Sequence, residues 1–508
     1  MNQKRSVFGN AADSLSVHHQ RYVRHESSLG ITLVVPARVI ARLPRLSAIP
    51  IPYNAPEEVP PKRHAARMQF VRNSAYCTFG HAARGPPIAK MAVEDNNAFR
   101  RKRAERTQKS VGGNAGRKSL ASSRTRYACG LSALTTDEPD ANAFARMVAT
   151  EAAAMDAGFA LLFFSQSLVD AAALSEALKT HAPSLDYAGC STAGEITPQG
   201  LEEGHVLALL LPTASFSTAS IMVDNLSSSS MDRITGEVAA LRRSLRDRVG
   251  HGRAKDTFAL CFIDGLSYAE EAVTSAIHWG LDDIPLIGGS AGDNLKFETT
   301  SLISNGKVAS DSAIVVLIAT EIPFHVFKTD NFIPTDEKLV VTQSDPDHRI
   351  VREFNATNAA EEYAASVGIM PQMLTPLSFA SHPVVVKVGG EYYCRSIQRM
   401  HADGSLSFFC AIDDGVVLSI AQPKNMVEAT RAALLDVERK LGGIDMVLGF
   451  DCVLRRLDAR NRQVFRDISE LYRTNNVIGF GTYGEQYRSM HLNQTFTGIA
   501  FGERRAAE

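Results

Sequence analysis

From residue 127 onward, short apolar runs alternate with segments whose apolar positions recur every three or four residues, which predicts buried strands separated by amphipathic helices. One such run is Phe159-Ala-Leu-Leu-Phe-Phe164. A helical segment over about 168–180 follows, and a second run ends in a turn of small residues, Tyr187-Ala-Gly-Cys-Ser-Thr-Ala-Gly-Glu195. The plan returns at residues 258–262, with a helix over 269–279 and the ending Leu286-Ile-Gly-Gly-Ser-Ala-Gly-Asp293. It returns again at residues 446–450, with a helix over 464–472 and the ending Val477-Ile-Gly-Phe-Gly-Thr-Tyr-Gly-Glu485.

All three endings read hydroxyl, any residue, glycine, carboxylate: Thr192/Gly194/Glu195, Ser290/Gly292/Asp293 and Thr482/Gly484/Glu485. From the strand phenylalanine to that glycine is 30, 30 and 34 residues, a length that fits strand, crossover helix and parallel strand. Ligands of such sheets bind at the carboxyl edge of the strands, where these turns fall. The hydroxyl and carboxylate can cap backbone N–H groups or hold a polar ligand, so a self-satisfied corner and a binding site both fit one copy. Three matched copies make Cys190, Ser191, Thr192, Glu195, Ser290, Asp293, Thr482, Tyr483 and Glu485 the candidate ligand-binding residues.

Other chemistries fit less well. Gly479-Phe-Gly-Thr-Tyr-Gly484 spells a dinucleotide-binding pattern, but the segment after it is strand-like, and the pattern needs a helix there. Cys190 stands where a nucleophile could stand, yet a nucleophile needs an activating base and the sequence assigns none. Nine histidines lie in the body, none in a paired metal-binding spacing. A lone axial haem ligand leaves no local signature, and His491, six residues after the third turn, is the histidine nearest the expected crevice.

Composition sets the frame. The 508 residues, 45% hydrophobic and 21% charged, are globular in character and long enough for more than one folding unit. No apolar run approaches the roughly 18 residues of a membrane helix. Residues 1–126 carry 23 Lys and Arg against 7 Asp and Glu, which leaves 31 basic and 48 acidic residues for the rest. The acidic body argues against a nucleic-acid groove. The first 126 residues lack sustained periodicity and read as a disordered basic arm, or as an over-extended start with translation from Met68 or Met91. Seven scattered cysteines without a C-x-x-C pair predict reduced thiols in a cytoplasmic protein.

The ordered set of turns resembles the FIST sensory domains. Gly189-Cys-Ser-Thr-Ala-Gly-Glu-Ile196 and Pro285-Leu-Ile-Gly-Gly-Ser-Ala-Gly-Asp293 are similar to the N-terminal module. Phe450-Asp-Cys-Val-Leu-Arg455 and Gly479-Phe-Gly-Thr-Tyr-Gly-Glu485, followed by His491 and Thr495, are similar to the C-terminal one. Phe354-Asn355 to Tyr363 resembles a family Asn-Gly-x-Pro-Ala segment, with Ala356 and Asn358 in place of the Gly and Pro. The resemblance implies a FIST N-like module over 127–352 and a FIST C-like module over 353–508. The expected fold is α/β: two associated modules of mixed, helix-covered sheets built from βαβ-like units. It further implies a non-enzymatic cytoplasmic sensor of small ligands, working through a separate partner such as a histidine kinase or a cyclic-di-GMP enzyme. Some relatives look like haem-bound nitric oxide sensors, which makes His491 a candidate haem ligand. Arg455 is expected either to pair a ligand carboxylate or to tie down Glu195 or Glu485.

Overall fold

The computed structural model describes residues 122–249 and 257–503, together with the strands Tyr22–Glu26 and Thr32–Pro36, which pair antiparallel. Apart from that hairpin, residues 1–121 of the expected arm lie outside the described residues. The end of the arm departs from expectation: Ser122–Arg126 is the edge strand of a seven-stranded sheet. Arg126 Nε holds it down, 2.6 Å from the buried Glu151 carboxylate.

Described residues form an α/β fold with nine α-helices and four main sheets. Three sheets repeat one unit, as the strand spacing predicts. Ala157–Phe164 pairs parallel with Asp186–Ser191, Thr257–Ile263 with Leu286–Ser290, and Met446–Cys452 with Val477–Thr482. In each, an antiparallel return strand flanks the first: Val206–Pro212, Ser312–Thr320 and Thr495–Phe501. Gly189, Gly288 and Gly479 hold the same place in the three units. A Cβ there would collide with the carbonyl of Leu162, Cys261 or Gly449 on the neighbouring strand.

One face of all three sheets turns into a common core. Phe163 stacks on Phe480 with ring centroids 4.6 Å apart, and Phe262 lies 5.5 Å from Phe163 and 6.4 Å from Phe450. Helices cover the outer faces. Ala141–Met155 and Ala171–His181 cover the first sheet, and Met231–Val249 and Glu270–Leu281 the second. Met426–Leu441 and Phe465–Thr474 cover the third. These helices are amphipathic, and burial of their apolar stripes is what holds them. Between the second and third repeats the chain builds an eight-stranded antiparallel sheet, from Phe332–Asp345 to Val417–Pro423, with its own core around Phe354, Tyr363, Phe379 and Phe408. Among the described residues the sheets thus comprise three repeats and an inserted sheet.

Candidate functional site

Strand exchange brings the three hydroxyl–glycine–acid corners together. After the first corner, the hairpin Glu195–Thr197/Gly200–Glu202 joins the third sheet, with Glu195 opposite Phe480. After the third, Glu485–Tyr487/Met490–Leu492 joins the second sheet, with Glu485 opposite Gly289. After the second, Leu302–Ser304/Lys307–Ala309 joins the first sheet, with Leu302 opposite Cys190. The cycle closes. Its tips bond to one another through the backbone: Ala193 N–H donates to Gly481 O at 2.8 Å, Gly292 N–H to Ser191 O at 3.1 Å, and Ser290 N–H to Gly484 O at 2.7 Å.

Two of the carboxylates are spent inside their own corners. Thr192 Oγ1 donates to Glu195 Oε1, and the His205 backbone N–H donates to Oε2 at 3.1 Å. Thr482 Oγ1 donates to Glu485 Oε1 and Thr495 Oγ1 to Oε2, the latter at 2.6 Å. Both side chains are fully buried, and burial pushes Glu195 up to about 7 and Glu485 up to about 8. Burial thus favours the protonated acid at both positions.

The second corner breaks the symmetry. Residues 294–301 intervene before its hairpin, and Asp293 anchors them: its carboxylate accepts the N–H groups of Phe297, Glu298 and Thr299 at 2.9, 2.7 and 3.0 Å. Tyr483 Oη also donates to Asp293 and accepts the Leu295 N–H at 2.8 Å. Burial alone would raise the Asp293 carboxyl, but the hydrogen bonds from Tyr483 and the backbone bring it below its usual value. Asn294, Leu295 and Phe297 all have left-handed backbones, with φ of 57°, 67° and 55°. Such strain gathers at ligand clamps and switch segments. Phe297 lies over Tyr483, and Phe409 from the eight-stranded sheet sits 6.3 Å from Phe297. Beneath them Ala193, Cys452, Val453, Leu454 and Tyr483 form an apolar cluster drawn from the first and third repeats.

Among the other predicted residues, Ser191 and Ser290 stand at the junctions: Ser191 Oγ accepts the Ser301 N–H at 3.0 Å, and Ser290 Oγ accepts Gln486 Nε2 at 2.8 Å. Cys190 is fully buried in the common core, and burial pushes its thiol far up, so it is a protonated packing group. Arg455 contacts neither Glu195 nor Glu485. It is buried against Asp451 at 2.8 Å, Asn331 at 2.8 Å and Thr430 at 3.0 Å. Its neighbour Arg456, which the sequence reading passed over, meets the first corner instead, donating to Glu202 O at 2.6 Å and to Ala193 O at 3.4 Å. Gly194 is glycine for that reason: with φ of +105°, any Cβ would run into the Arg456 guanidinium. Helix phase decides which of two adjacent arginines faces the corner, and a doublet in sequence does not reveal it.

His491 is buried with Nδ1 3.2 Å from Gln486 Nε2, and its Cε1–Nε2 edge packs on Gly484, where a Cβ would collide with it. Burial pushes its pKa down to about 4, against the pull of Glu271. A haem needs a ring nitrogen facing a flat cavity, and these residues do not offer one; His491 as packed does not fit that group. Among the described residues no cluster of His, Cys, Asp and Glu is placed to hold a metal ion. A hollow of about 590 Å³ lies elsewhere, on the eight-stranded sheet between Glu337, His382 and Gln422. No helix among the described residues is long and apolar enough to cross a membrane.

Arg349 is a further residue the sequence did not single out. From the eight-stranded sheet it reaches Glu270 at 2.6 Å and Glu271 at 2.8 Å, at the start of the helix Glu270–Leu281. Glu271 also accepts the Ala411 N–H at 3.1 Å, and Arg395 donates to His491 O at 3.1 Å. The inserted sheet is thus bonded to the second and third repeats beside the corners.

Two family models match the chain in tandem. The FIST N domain model matches residues 158–357 and the FIST C domain model residues 359–488. An uncharacterized protein of Methanocaldococcus jannaschii is 23% identical over 385 residues, 67% of this chain and 73% of that one. Among solved structures, a cyanuric acid hydrolase from A. caulinodans aligns with TM-score 0.32 and 10% identity, over 76% of this chain and 99% of its own. That likeness is too distant to carry any argument about activity.

Proposed function

We propose a ligand-sensing role from one premise: the chain belongs to the FIST family, whose domains are sensory domains in signal transduction. In this reading the protein is a cytoplasmic sensor that binds a small polar molecule where the three corners meet. It passes the signal to a separate protein, such as a histidine kinase or a cyclic-di-GMP enzyme, and turns nothing over. One observation carries the reading: at the convergence, Tyr483 and Asp293 hold down a loop with three left-handed, non-glycine residues and an aromatic cover, Phe297. Strain of this kind is kept where a segment must move or clamp. Ser290, Asp293 and Tyr483 are the residues placed to meet the ligand, with Ser191 and Thr192 beside them. Glu195 and Glu485 shape the corners from within, Arg455 is engaged away from them by Asp451, Asn331 and Thr430, and the deeply buried, protonated Cys190 supports a non-catalytic role.

A thermal-shift screen of the full chain with amino acids and related metabolites tests this. A concentration-dependent rise in melting temperature with one chemical class is the expected outcome. No shift with any of them refutes it. The packing of His491 speaks against a haem sensor, and an absorbance spectrum of protein from haem-replete cells checks that directly: the expected spectrum lacks a Soret band.

A further inference from the structure

We infer that the end of the third repeat holds a binding site for a small neutral ligand carrying a carboxamide or urea group, built from the side-chain amides of Asn493, Gln494 and Asn331. The inference rests on the sensing role above and adds an amide-recognising subsite beside the third corner, just before Thr495, which bonds Glu485. Asn493 and Gln494 are fully buried, and all four of their side-chain polar atoms lack a hydrogen-bond partner in the protein. Asn331 lies one residue beyond the Asp330–Thr495 pair of the neighbouring strand. It is also fully buried; its Oδ1 accepts from Arg455 while its Nδ2 has no partner. An unsatisfied buried polar group costs about 1–3 kcal/mol, so a fold does not keep three such amides for stability alone.

The other two repeats show what the fold itself requires at this place. Gly204, Asp311 and Gln494 are the equivalent left-handed residues before the return strands, with φ of 72°, 45° and 55°. In the second repeat Asp311 is engaged, accepting the Ser227 hydroxyl at 2.7 Å. In the first, Glu203 pairs with Arg456 at 3.2 Å and glycine takes the left-handed position. Only the third repeat places two long amides here and leaves both without partners.

The surroundings define the ligand. Arg455 is closed on Asp451, Asn331 and Thr430, and Glu485 is closed on Thr482 and Thr495, so no nearby charge is left to balance a charged ligand. Cys452, whose thiol meets the Gln494 backbone N–H, is driven far up by burial and is neutral. The orphan set is three NH2 groups and two carbonyls, the complement of a group that both accepts and donates. Thr495, the next residue, lines a hollow of about 20 Å³ with Lys328, Asp330, Tyr392, Tyr393 and Cys394, room for one water-sized group, and Asp330 there is 3.8 Å from Lys424. Lys328 itself is 3.7 Å from Glu391 and lies over the Tyr393 ring.

Titration of the full chain with acetamide and with urea at non-denaturing concentration, followed by ligand-observed NMR, tests the site, with acetate as the charged counterpart. Saturable broadening of acetamide or urea is expected, at least about tenfold weaker for acetate. The double variant Asn493→Leu/Gln494→Met is expected to melt higher, because orphan polar atoms are gone, and to lose the response. Asn493→Ala alone serves if the double variant does not fold. A folded variant that keeps the full response overturns the site, as does a crystal soaked in acetamide that shows only water at these atoms. A protein stabilised by amino acids that ignores acetamide and urea rejects the amide site alone. One that answers to neither probe set rejects the sensing role with it.

Discussion

Phe297 stacks on Tyr483 with ring centroids 4.8 Å apart and ring planes at 25°, while the Tyr483 hydroxyl donates to Asp293 and accepts the Leu295 N–H. One tyrosine of the third repeat thus fastens the irregular loop of the second through both its face and its hydroxyl. Phe297 remains 40% exposed, so the loop is covered on one side only. Removing the hydroxyl leaves a buried acceptor short of a partner. Tyr483→Phe is expected to cost about 1–3 kcal/mol in urea unfolding and to speed amide exchange over 294–299.

The turn Asn355–Ala356 keeps a left-handed backbone at both residues, with φ of 51° and 60°, although alanine stands at the second. A left-handed residue with a Cβ costs about 1–2 kcal/mol that glycine avoids. Ala356→Gly is expected to stabilise the protein by about 1 kcal/mol, read from the shift of the denaturation midpoint.

Protonation of the corner acids couples stability to pH. Burial holds Glu195 at about 7 and Glu485 at about 8, above the usual value of about 4.3, so the folded chain keeps protons that the unfolded chain has released. Their contribution is complete at low pH and is lost as pH rises through those values. His491, held down to about 4, acts in the opposite sense and costs stability as pH falls below about 6.5. From about pH 6.5 to about pH 8 the two glutamates act alone among these three, and melting temperature is expected to fall there. Glu485→Gln, neutral at every pH, is expected to flatten that slope; an unchanged slope would refute the assignment.

Arg349 compensates Glu270, which burial pushes up, and Glu271, which burial would raise but which His491 and Arg349 bring below its usual value. Breaking a buried ion pair from one side costs about 3–5 kcal/mol. Arg349→Met is expected to lose that much in urea unfolding, and Glu270→Gln in the same chain to restore part of it.

Much of the fold was legible because its signals are local. The three strand–helix–strand units announce themselves by apolar periodicity and by glycines at fixed distances, and Gly189, Gly288 and Gly479 are glycines for one steric reason. Strand exchange between sheets was not legible: nothing around Glu195, Asp293 or Glu485 says that the hairpin after each corner pairs with a different sheet. Nor does the sequence distinguish a carboxylate satisfied by its own threonine, as at Glu195 and Glu485, from one recruited by a neighbouring loop, as at Asp293. The choice between Arg455 and Arg456 turns on helix phase, and the orphan amides of Asn493 and Gln494 exist only once burial is known.

Hydrogen exchange over residues 293–299, read by mass spectrometry with and without the metabolite that most raises the melting temperature, tests the central claim that the converging corners form the sensing site. Ligand is expected to slow exchange in that loop and around Tyr483 more than in the helices of the first repeat. Stabilisation of the protein with exchange in this loop unchanged would contradict it.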